Sequence, residues 1–394
     1  MQDVYIVAAQ RTAVGKARGC FSTTRPDDLL AVAIKAALAK VPQLSPRDIT
    51  DVIVGCAMPE AQQGMNVARI AALLAGVPDT VSAMTLNRFC ASGLQAIATA
   101  ADRIRLGEAD VMLAGGVESM SMVPMGGHLY APNPAIFSQS EHVGIAYGMG
   151  ITAEKVAKKW KIDRQRQDSF ALSSHQKALA AQKEGFVAEE IAPVTVSLSL
   201  PKSSGTQVKT IERVIEQDEG PRADSSIEAL SRLRPVFDVM GSVTAGNTSQ
   251  MSDGAACLVL MSEAMVSRLD VTPLAKWRGF ATAGVAPEVM GIGPVEAIPK
   301  VLKQTGLSQS DIDWIELNEA FAAQSLAVID TLSLDESKVN PRGGAIALGH
   351  PLGATGAIKA TSLLHGLRQT KKRYGMVTMC IGTGMGAAGI FEAV

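Results

Sequence analysis

A cysteine stands where a strand pattern gives way to a helix pattern. The segment from Met84 has the sequence MTLNRFCASGLQAIATAADRIRLG, in which Cys90 precedes apolar residues at helical spacing that end at Gly107. A thiol at a helix N-terminus feels the positive end of the helix dipole, which lowers its pKa and favours the nucleophilic thiolate. The position therefore predicts a reactive Cys90 with a pKa below about 8.5. The alternative is a buried structural cysteine, the commonest fate of a free thiol.

A nucleophilic cysteine needs a base within hydrogen-bond reach, and one of the five histidines stands out. His350 lies in NPRGGAIALGHPLGATGA, a glycine-dense turn before a second helix pattern. The segments CASGLQAIATAADRI and HPLGATGAIKATSLL correspond, since each places a reactive side chain three residues before a glycine. A pseudo-twofold axis would bring the two helix starts together, so that His350 could take the proton from Cys90. A turn histidine that caps its helix is the alternative.

Two further segments could complete such a site. Cys380 falls in TMCIGTGMG, at the end of a buried strand pattern and before glycines whose backbone amides can approach a ligand closely. Gly382 could therefore donate a hydrogen bond to an oxyanion. Asn318 follows the strand pattern WIEL, and its amide could fix a water or donate to a substrate carbonyl. The alternatives are a core thiol at Cys380 and an ordinary helix N-cap at Asn318.

The cysteines favour neither disulfides nor a metal site. They are odd in number and spread along the chain without a CxxC pair, which indicates free thiols in a reducing compartment. Two cysteines and a histidine could bind zinc, but the ligand set is one short without Asn318, a rare zinc ligand, and no pair has local spacing. We therefore expect no metal.

The composition bounds the class of protein. The chain has 394 residues, 47% hydrophobic and 19% charged, with 37 basic and 38 acidic residues and a net charge of −1. This balance indicates neither a nucleic-acid partner nor a polybasic membrane contact. The apolar stretch from Tyr374 to Phe391 carries five glycines, so it is better explained by two buried strands than by a spanning helix. We expect a cytoplasmic protein without a signal peptide.

The elements around these residues repeat. Strand and helix patterns alternate, which predicts an α/β fold with a largely parallel sheet and helices on its faces. The segments LSPRDITDVIVG and LSQSDIDWIELN carry the same opening, about 260 residues apart, as do the Cys90 and His350 segments. We interpret this as an internal duplication.

Between the two halves the composition changes. Residues 121–246 are richer in polar helix and loop patterns, which predicts an insertion that covers the duplicated core. Within it, the stretch from Thr152 to Phe186 predicts one helical segment capped by Thr152. The stretch KSSGTQVKTIERVIEQDEGPRADSS, at 202–226, predicts loops and a hairpin.

Taken together, these segments resemble the thiolase family over the whole length of the chain. The matching blocks are NRFCASG around Cys90, GGVESMS at Gly115–Ser121, TAGNTSQMSDGA at Thr244–Ala255, NEAF at Asn318–Phe321, GGAIALGHPLGATGA at Gly343–Ala357 and CIGTGMG at Cys380–Gly386. Long blocks in this order are specific to the family, whereas a single cysteine motif would not be.

The resemblance implies a duplicated core of five layers, αβαβα, with an inserted loop domain that grips coenzyme A. The implied boundaries are 1–120 plus 247–271 for the N-terminal domain, 121–246 for the loop domain and 272–394 for the C-terminal domain. It also implies a homodimer or homotetramer, with a hydratase/dehydrogenase subunit as a possible further partner.

The resemblance assigns roles to the site residues. The acyl-accepting thiol of the family corresponds to Cys90, the activating histidine to His350, the second acid/base thiol to Cys380 and the NEAF asparagine to Asn318. Cys90 would attack the 3-keto carbon of a 3-oxoacyl-CoA, and Cys380 would protonate the acetyl-CoA enolate that leaves. Coenzyme A, a co-substrate and not a permanently bound cofactor, would then take the acyl group. The amides of Cys90 and Gly382 would stabilise the tetrahedral oxyanion.

Family contacts to coenzyme A correspond to five further positions. These are Arg222, Ser249, Met149, Met290 and Phe321. One departure bears on the substrate: Gly148 precedes the block MGITAEK, where short-chain biosynthetic members tend to have a histidine. Together with the brief loop before that block, this favours a degradative 3-ketoacyl-CoA thiolase of broad chain length.

Three other functions remain as alternatives. An acetoacetyl-CoA thiolase working in the condensing direction is the nearest. A carrier-protein-dependent ketosynthase usually pairs its cysteine with two histidines or with a histidine and an asparagine, so Cys380 argues against it. A non-catalytic protein that binds coenzyme A or lipid is disfavoured because Cys90, His350, Cys380 and Asn318 are all present.

Overall fold

The computed structural model of the chain describes residues 2–139, 143–201 and 208–394. The strands in these ranges are β1 (Val4–Thr12), β2 (Gly15–Lys16), β3 (Asp51–Gly55), β4 (Ser82–Leu86), β5 (Val111–Ser119), β6 (Ile191–Ala192), β7 (Val194–Pro201), β8 (Val208–Ile215), β9 (Ser252–Ser262), β10 (Ala275–Gly284), β11 (Trp314–Leu317), β12 (Tyr374–Ile381) and β13 (Met385–Ala393). The helices are α1 (Pro26–Ala39), α2 (Val67–Leu74), α3 (Ser92–Arg105), α4 (Ala135–Ser138), α5 (Met149–Trp160), α6 (Arg164–Lys183), α7 (Ile227–Ser231), α8 (Glu263–Leu269), α9 (Gly293–Thr305), α10 (Ala322–Leu332), α11 (Ala345–Leu348) and α12 (Leu352–Thr370).

The sheet repeats one strand order in the two halves of the chain. In the first half β1, β9, β5, β3 and β4 lie side by side, and in the second β10, β13, β12 and β11 follow the same order. In each half the first two pairings are antiparallel and the third is parallel. In the first half β3 also pairs parallel with β4. The equivalent pairing in the second half is a single parallel bridge from Ile315, on β11, to Val339. The predicted duplication is confirmed.

The layers follow the order α, β, α, β, α. Helices α1 and α2 pack on the outer face of the first half-sheet, and α9 and α10 pack on the outer face of the second. Helices α3 and α12 lie between the two half-sheets in a shared apolar core. The halves also join edge to edge, because β1 and β10 pair antiparallel at Tyr5 and Lys276 and at Ile6 and Ala275. The five-layered α/β fold expected from the sequence is present, but the expectation of a largely parallel sheet was wrong. The sheet is mixed, because the long central strands pair antiparallel and only the outer strands β3, β4, β11 and the short β6 pair parallel.

The two central helices touch backbone to backbone. A Cβ atom on Gly93 would lie 2.7 Å from the nitrogen of Ala357, and one on Gly356 would lie 2.3 Å from the nitrogen of Leu94. Since no side chain fits at these positions, glycine permits the close approach. The predicted apolar positions of α3, among them Leu94 and Ile104, are fully buried beside it. Burial of each such side chain stabilises the fold by about 1.5–3 kcal/mol, and the packing fixes the two helix starts relative to each other.

The segment between β5 and β9 departs from the sequence prediction. Two helices, α5 and α6, occur where one was expected, because Lys161 adopts a left-handed conformation with φ of +56° and Asp163 caps α6. The Asp163 carboxylate accepts a hydrogen bond from the Arg166 amide at 2.8 Å, so it starts a new helix. The cap assigned to Thr152 was wrong, since α5 begins at Met149 and the Thr152 hydroxyl donates to the Met149 carbonyl.

Two other expectations concern this region and the C-terminus. A hairpin of β7 and β8 occurs in this region, but β7 lies before the stretch 202–226 in which the hairpin was expected, and the connection at 202–207 lies outside the described residues. Two buried strands, β12 and β13, account for the apolar stretch from Tyr374 to Phe391. In the described ranges, no helix combines the length and the apolarity that a membrane crossing requires. The three domain boundaries given above stay a prediction.

Candidate active site

Cys90 lies on a tight turn that two polar side chains hold in place. The turn, Phe89–Ala91, is a short 3₁₀ helix between β4 and α3, and Phe89 has a strained φ of +45°. The side-chain carbonyl of Asn87 accepts a hydrogen bond from the Phe89 amide at 2.7 Å. The Ser92 hydroxyl donates to the Phe89 carbonyl, also at 2.7 Å. Since short polar side chains close the turn, Cys90 is presented at a fixed point before α3.

The pKa of Cys90 differs from the sequence expectation. Burial raises the pKa of the thiol to about 11, although the amides of Gly382 and of Cys90 itself donate toward the sulfur and lower it. The negative charge of Glu118 adds to the rise. The expected lowered pKa was wrong because Cys90 precedes the first turn of α3 and is partly enclosed, so the cost of removing a charge from water exceeds the helix contribution. The thiol therefore needs a base to become nucleophilic.

His350 is the neutral imidazole of the site. It follows Gly349, whose φ of +107° turns the chain before α12, and only 5% of its surface is exposed. Its Nδ1 lies 2.6 Å from Oγ1 of Thr355, and its Nε2 lies 3.4 Å from Nδ2 of Asn318. Burial, and then the charge of Lys359, lower the pKa of His350 to about 3. An uncharged imidazole can accept a proton. The N-cap residue of α12 is Pro351, so the alternative in which His350 caps this helix is wrong.

Asn318 lies directly after β11 and is fully buried. The backbone amide of Asn318 donates to the Thr378 carbonyl at 2.9 Å, which fixes the residue against β12. In the part of the chain that the structure describes, Asn318 Oδ1 has no hydrogen-bond partner. A buried acceptor of this kind is usually satisfied by a water or a ligand. The N-cap of α10 is Phe321, so the N-cap role considered for Asn318 was wrong.

Cys380 lies near the end of β12, in contact with the Cys90 turn. Burial raises the pKa of its thiol, and the charge of a Cys90 thiolate raises it further, which places the two sulfurs near each other. Met149, Met290 and Phe321 pack in the same apolar cluster as Cys380. The sulfur of Met149 is 3.9 Å from the point where a Cβ on Gly382 would lie. Three of the five predicted coenzyme A contacts thus surround the second thiol.

The other two predicted contacts lie farther out. The Ser249 amide donates to the carbonyl of Ala320 at 3.0 Å, so Ser249 borders the loop that carries Asn318. Arg222 is exposed and forms an ion pair with Asp224, while its amide donates to Nδ1 of His175. The structure therefore places Ser249 at the edge of the site and Arg222 on the surface beyond it.

Sequence reasoning missed three residues of this site. Phe237 meets Phe321 edge to face, with 6.3 Å between ring centroids. Thr355 holds His350, and Glu118 is a fully buried carboxylate close enough to affect Cys90. The exposed apolar segment RLRPVFDVM could have pointed to Phe237. No comparable feature of the sequence points to the contacts of Thr355 or of Glu118.

The arrangement places the Cys90 thiol near the Cys380 thiol and packs Cys90 against Leu352, the first residue of the helix that follows His350. Helix starts from the two halves supply Cys90 and His350, and the end of β12 supplies Cys380. Among the described residues, no three histidine, cysteine, aspartate or glutamate side chains are placed to hold a metal ion. Two neighbouring thiols and a neutral imidazole on adjoining segments are groups suited to acyl transfer through a cysteine.

Comparison with known proteins gives the family. Residues 4–264 match the thiolase N-terminal domain and residues 271–393 match the thiolase C-terminal domain, so the chain belongs to the thiolase family. It is 51% identical over 395 residues to the 3-ketoacyl-CoA thiolase of Bacillus subtilis, with all of both chains covered.

Solved structures agree with this assignment. The human mitochondrial 3-ketoacyl-CoA thiolase is 38% identical and superimposes with a TM-score of 0.89 over 100% of this chain and 99% of that chain. The dimeric peroxisomal thiolase of Saccharomyces cerevisiae is 41% identical, with a TM-score of 0.89 over 100% of this chain and 98% of that chain.

Proposed function

We propose that this chain catalyses the thiolytic cleavage of 3-oxoacyl-CoA to acetyl-CoA and a shortened acyl-CoA, and the reverse Claisen condensation. The observation that supports the proposal is the proximity of Cys90 to Cys380 and to Leu352, the first residue of the helix that His350 precedes, within a thiolase fold. Relatives named 3-ketoacyl-CoA thiolase over the full length of the chain support the substrate class.

The first half-reaction begins with a proton transfer. Nε2 of His350 takes the proton of the Cys90 thiol, and the thiolate adds to the 3-keto carbon. For Nε2 to act as the acceptor, Nδ1 must carry a hydrogen and donate it to Thr355 Oγ1, at 2.6 Å. The raised pKa of Cys90 supports this order, because a thiolate forms only as the base acts.

Cleavage then requires an acid at the other carbon. The bond between C2 and C3 breaks, its electron pair stays on C2, and the acetyl-CoA enolate takes the proton of the Cys380 thiol. The high pKa of the buried Cys380 supports this role, since the thiol holds its proton until a strong carbon base is generated. The acyl group remains on Cys90 as a thioester.

The second half-reaction releases the acyl group and restores both thiols. The thiol of coenzyme A gives its proton to the Cys380 thiolate and attacks the Cys90 thioester. Cys90 leaves as a thiolate and regains its proton from His350. The site then carries the protons with which it started.

Two sets of donors would stabilise the oxyanions. The amides of Cys90 and Gly382, both directed at the Cys90 sulfur region, would bind the tetrahedral oxyanion. Nε2–H of the protonated His350 and a water held by Asn318 would bind the enolate oxygen. The unsatisfied Oδ1 of Asn318 supports a bound water. Loss of one such donor typically costs a factor of about 100 to 1,000 in rate.

The thioester arm would enter along the apolar cluster around Cys380. Met149, Met290 and Phe321, with Phe237 against Phe321, form an apolar wall that suits an uncharged pantetheine chain. Ser249 would meet the arm farther out, and Arg222 would meet the charged end of coenzyme A at the surface.

Initial rates on 3-oxoacyl-CoAs from short to long chain test the substrate proposal. We expect turnover with both acetoacetyl-CoA and longer substrates, because Gly148 adds no side chain at the mouth of the apolar wall. Turnover of acetoacetyl-CoA alone would identify the alternative, an acetyl-CoA acetyltransferase. The absence of turnover with any 3-oxoacyl-CoA would contradict the proposal.

We further propose that the chain forms a homodimer through strand β4. This strand lies at an edge of the sheet, and Met84 on it is 41% exposed. Met65 is 97% exposed and precedes Asn66, whose side chain donates to the Ala83 carbonyl of the strand. The unpaired backbone groups of an edge strand can pair with another chain, and exposed apolar side chains beside it favour such a contact. Light scattering of the purified protein would decide between monomer, dimer and tetramer. A hydratase/dehydrogenase partner and a cytoplasmic location stay predictions.

A further inference from the structure

A fully buried carboxylate lies between the two catalytic turns. Glu118, the penultimate residue of β5, is 0% exposed. Its oxygens accept hydrogen bonds from the amides of Ala57 at 2.8 Å, Met58 at 3.2 Å and Gly353 at 2.8 Å. The side-chain amide of Gln63 donates at 2.7 Å. The thiol of Cys56 donates as well, at 3.9 Å, so five donors from three separate segments converge on one side chain.

One arm of this network leads to His350. Gly353 is the second residue of α12, three positions after His350, and its amide is one of the free donors at the helix start. A carboxylate there also suits the positive end of the helix dipole. A Cβ on Gly353 would lie 2.6 Å from the Ala57 nitrogen and 2.8 Å from Oε2 of Glu118, so the three groups are in close contact.

The other arm leads to Cys90. The carbonyl of Ala57 accepts a hydrogen bond from the Asn87 side chain at 3.0 Å. The other end of that side chain accepts from the Phe89 amide at 2.7 Å, and Phe89 is the residue before Cys90. A chain of hydrogen bonds thus runs from Glu118 through Ala57 and Asn87 to the turn that presents the nucleophile.

A carboxylate is the one side chain suited to this position. It accepts hydrogen bonds only, whereas an amide of the same shape would turn two N–H groups toward backbone donors. The arrangement also has a cost. Burial raises the pKa of the Glu118 carboxyl even though its hydrogen-bond donors act to lower it, and the charge of the ionised Glu118 raises the pKa of Cys90. A negative charge near Cys90 disfavours the thiolate. The benefit of Glu118 to the site must therefore come from its hydrogen bonds.

We propose that Glu118 is a positioning residue that sets the distance between Cys90 and His350. It acts through Gly353 on the histidine turn and through Ala57 and Asn87 on the cysteine turn. This inference rests on the roles proposed for Cys90 and His350, and it adds the group that couples their positions.

Kinetics of Glu118→Gln and Asn87→Ala test the proposal. We expect each variant to lower kcat for thiolysis by roughly 10- to 100-fold, because a displacement of about 1 Å can cost that much. The KM for coenzyme A should stay within about twofold of the wild-type value, since Glu118 and Asn87 do not contact the apolar wall. The double variant should lose little beyond the single variants, because both act through one connection.

The matched control is Glu190→Gln. Glu190 is likewise 0% exposed and hydrogen-bonded to Arg11 and Ser362, but it is not connected to the Cys90 turn. Its loss should lower stability with little change in kcat per folded enzyme, and its effect should add to that of Asn87→Ala. If Glu118→Gln does not fold, Asn87→Ala tests the cysteine arm alone, since Asn87 is exposed.

The pH dependence of Cys90 alkylation by iodoacetamide gives a second readout. Removal of the Glu118 charge should shift this profile to lower pH even as kcat falls, whereas general loosening of the fold would not produce these opposite changes. The other titratable groups near Glu118 and Cys90 are Cys56, Cys380 and His350. Burial raises the pKa of both thiols and lowers that of the imidazole, so all three are uncharged in this range.

The outcomes separate the two proposals. An inactive wild-type enzyme would contradict the proposed function. An active wild-type enzyme together with a Glu118→Gln variant of unchanged kcat and unchanged alkylation profile would contradict the role of Glu118. Additive effects of Glu118→Gln and Asn87→Ala would likewise exclude one shared connection.

Discussion

The turns before α3 and α12 occupy equivalent places in the two halves, yet they present different chemistry. The first carries Cys90 on a 3₁₀ turn with partial exposure, and polar side chains of its own segment close it. The second carries His350 after Gly349, nearly buried, and contacts from Thr355 and Asn318 hold its ring. Duplication supplied the positions, whereas the neighbours of each turn supply the reactivity.

Burial also explains the protonation states of Cys90 and His350. Burial acts on both groups, but it disfavours the charged form, which is the thiolate for Cys90 and the imidazolium for His350. The pKa of the thiol therefore rises and that of the imidazole falls, so both groups are neutral at rest. In the proposed mechanism, such a pair transfers its proton only when the substrate is in place.

Replacement of the nucleophile should have the largest effect. We expect Cys90→Ser to lower thiolysis by about 10⁴-fold or more, because a hydroxyl in the same environment is a much weaker nucleophile. Thermal unfolding should change little, since serine fits the half-buried turn. The matched control is Cys257→Ser in β9, a buried thiol far from the site, which should retain activity. A Cys90→Ser enzyme near the wild-type rate would exclude the covalent route.

Replacement of the second thiol should separate the two half-reactions. We expect Cys380→Ser to load an acyl group from acyl-CoA at a near-normal rate, while cleavage and condensation fall by about 10²- to 10⁴-fold, the usual size of an acid–base contribution. Exchange of the α protons of acetyl-CoA with solvent deuterium, followed by NMR, measures the step directly. Unchanged exchange in this variant would show that another group acts as the acid.

Loss of the histidine contact should have a smaller effect. Thr355→Val removes the hydroxyl beside Nδ1 of His350 and leaves a buried ring nitrogen unsatisfied, which costs about 1–3 kcal/mol. We expect kcat to fall by roughly tenfold, with an unchanged KM for coenzyme A, and Thr355→Ser to restore most of the rate. If Thr355→Val had full activity, the tautomer of His350 would be set by another contact.

The smallest effect concerns stability and pH. Because the pKa of His350 is near 3 in the folded protein and about 6.5 in the unfolded chain, only the unfolded chain binds this proton between those values. Stability should therefore decrease as the pH falls from about 6.5 toward 3, by at most about 1.4 kcal/mol per pH unit from this group. Urea unfolding of wild type and His350→Gln at several pH values would measure the slope. An equal slope in both proteins would contradict the lowered pKa.

Local sequence patterns predicted the main helices and strands and the internal repeat. Helix α3, the strands around Gly382 and the repeat relating Cys90 to His350 depend on periodicity and glycine placement, which neighbouring residues determine. The resemblance to thiolases supplied Cys380, Asn318 and the contacts around Phe321 as a set.

Contacts between distant segments could not be predicted in this way. Glu118 meets Gly353 across 235 positions, and Thr355 is known as a partner of His350 only once α12 is placed. The pKa of Cys90 was misjudged for the same reason, since its burial depends on segments from both halves. The break between α5 and α6 could not be predicted either, because it depends on the left-handed conformation of Lys161 and on the Asp163 cap of α6.

Mass spectrometry of the acylated enzyme tests the central claim most directly. The Cys380→Ser variant would be incubated with acetyl-CoA, denatured in acid and digested, and each cysteine peptide examined for an added acetyl group. Acetylation confined to the peptide that contains Cys90, and lost in Cys90→Ser, is the result we predict. Acetyl on another residue, or none on Cys90 while the wild-type enzyme turns over, would contradict the account.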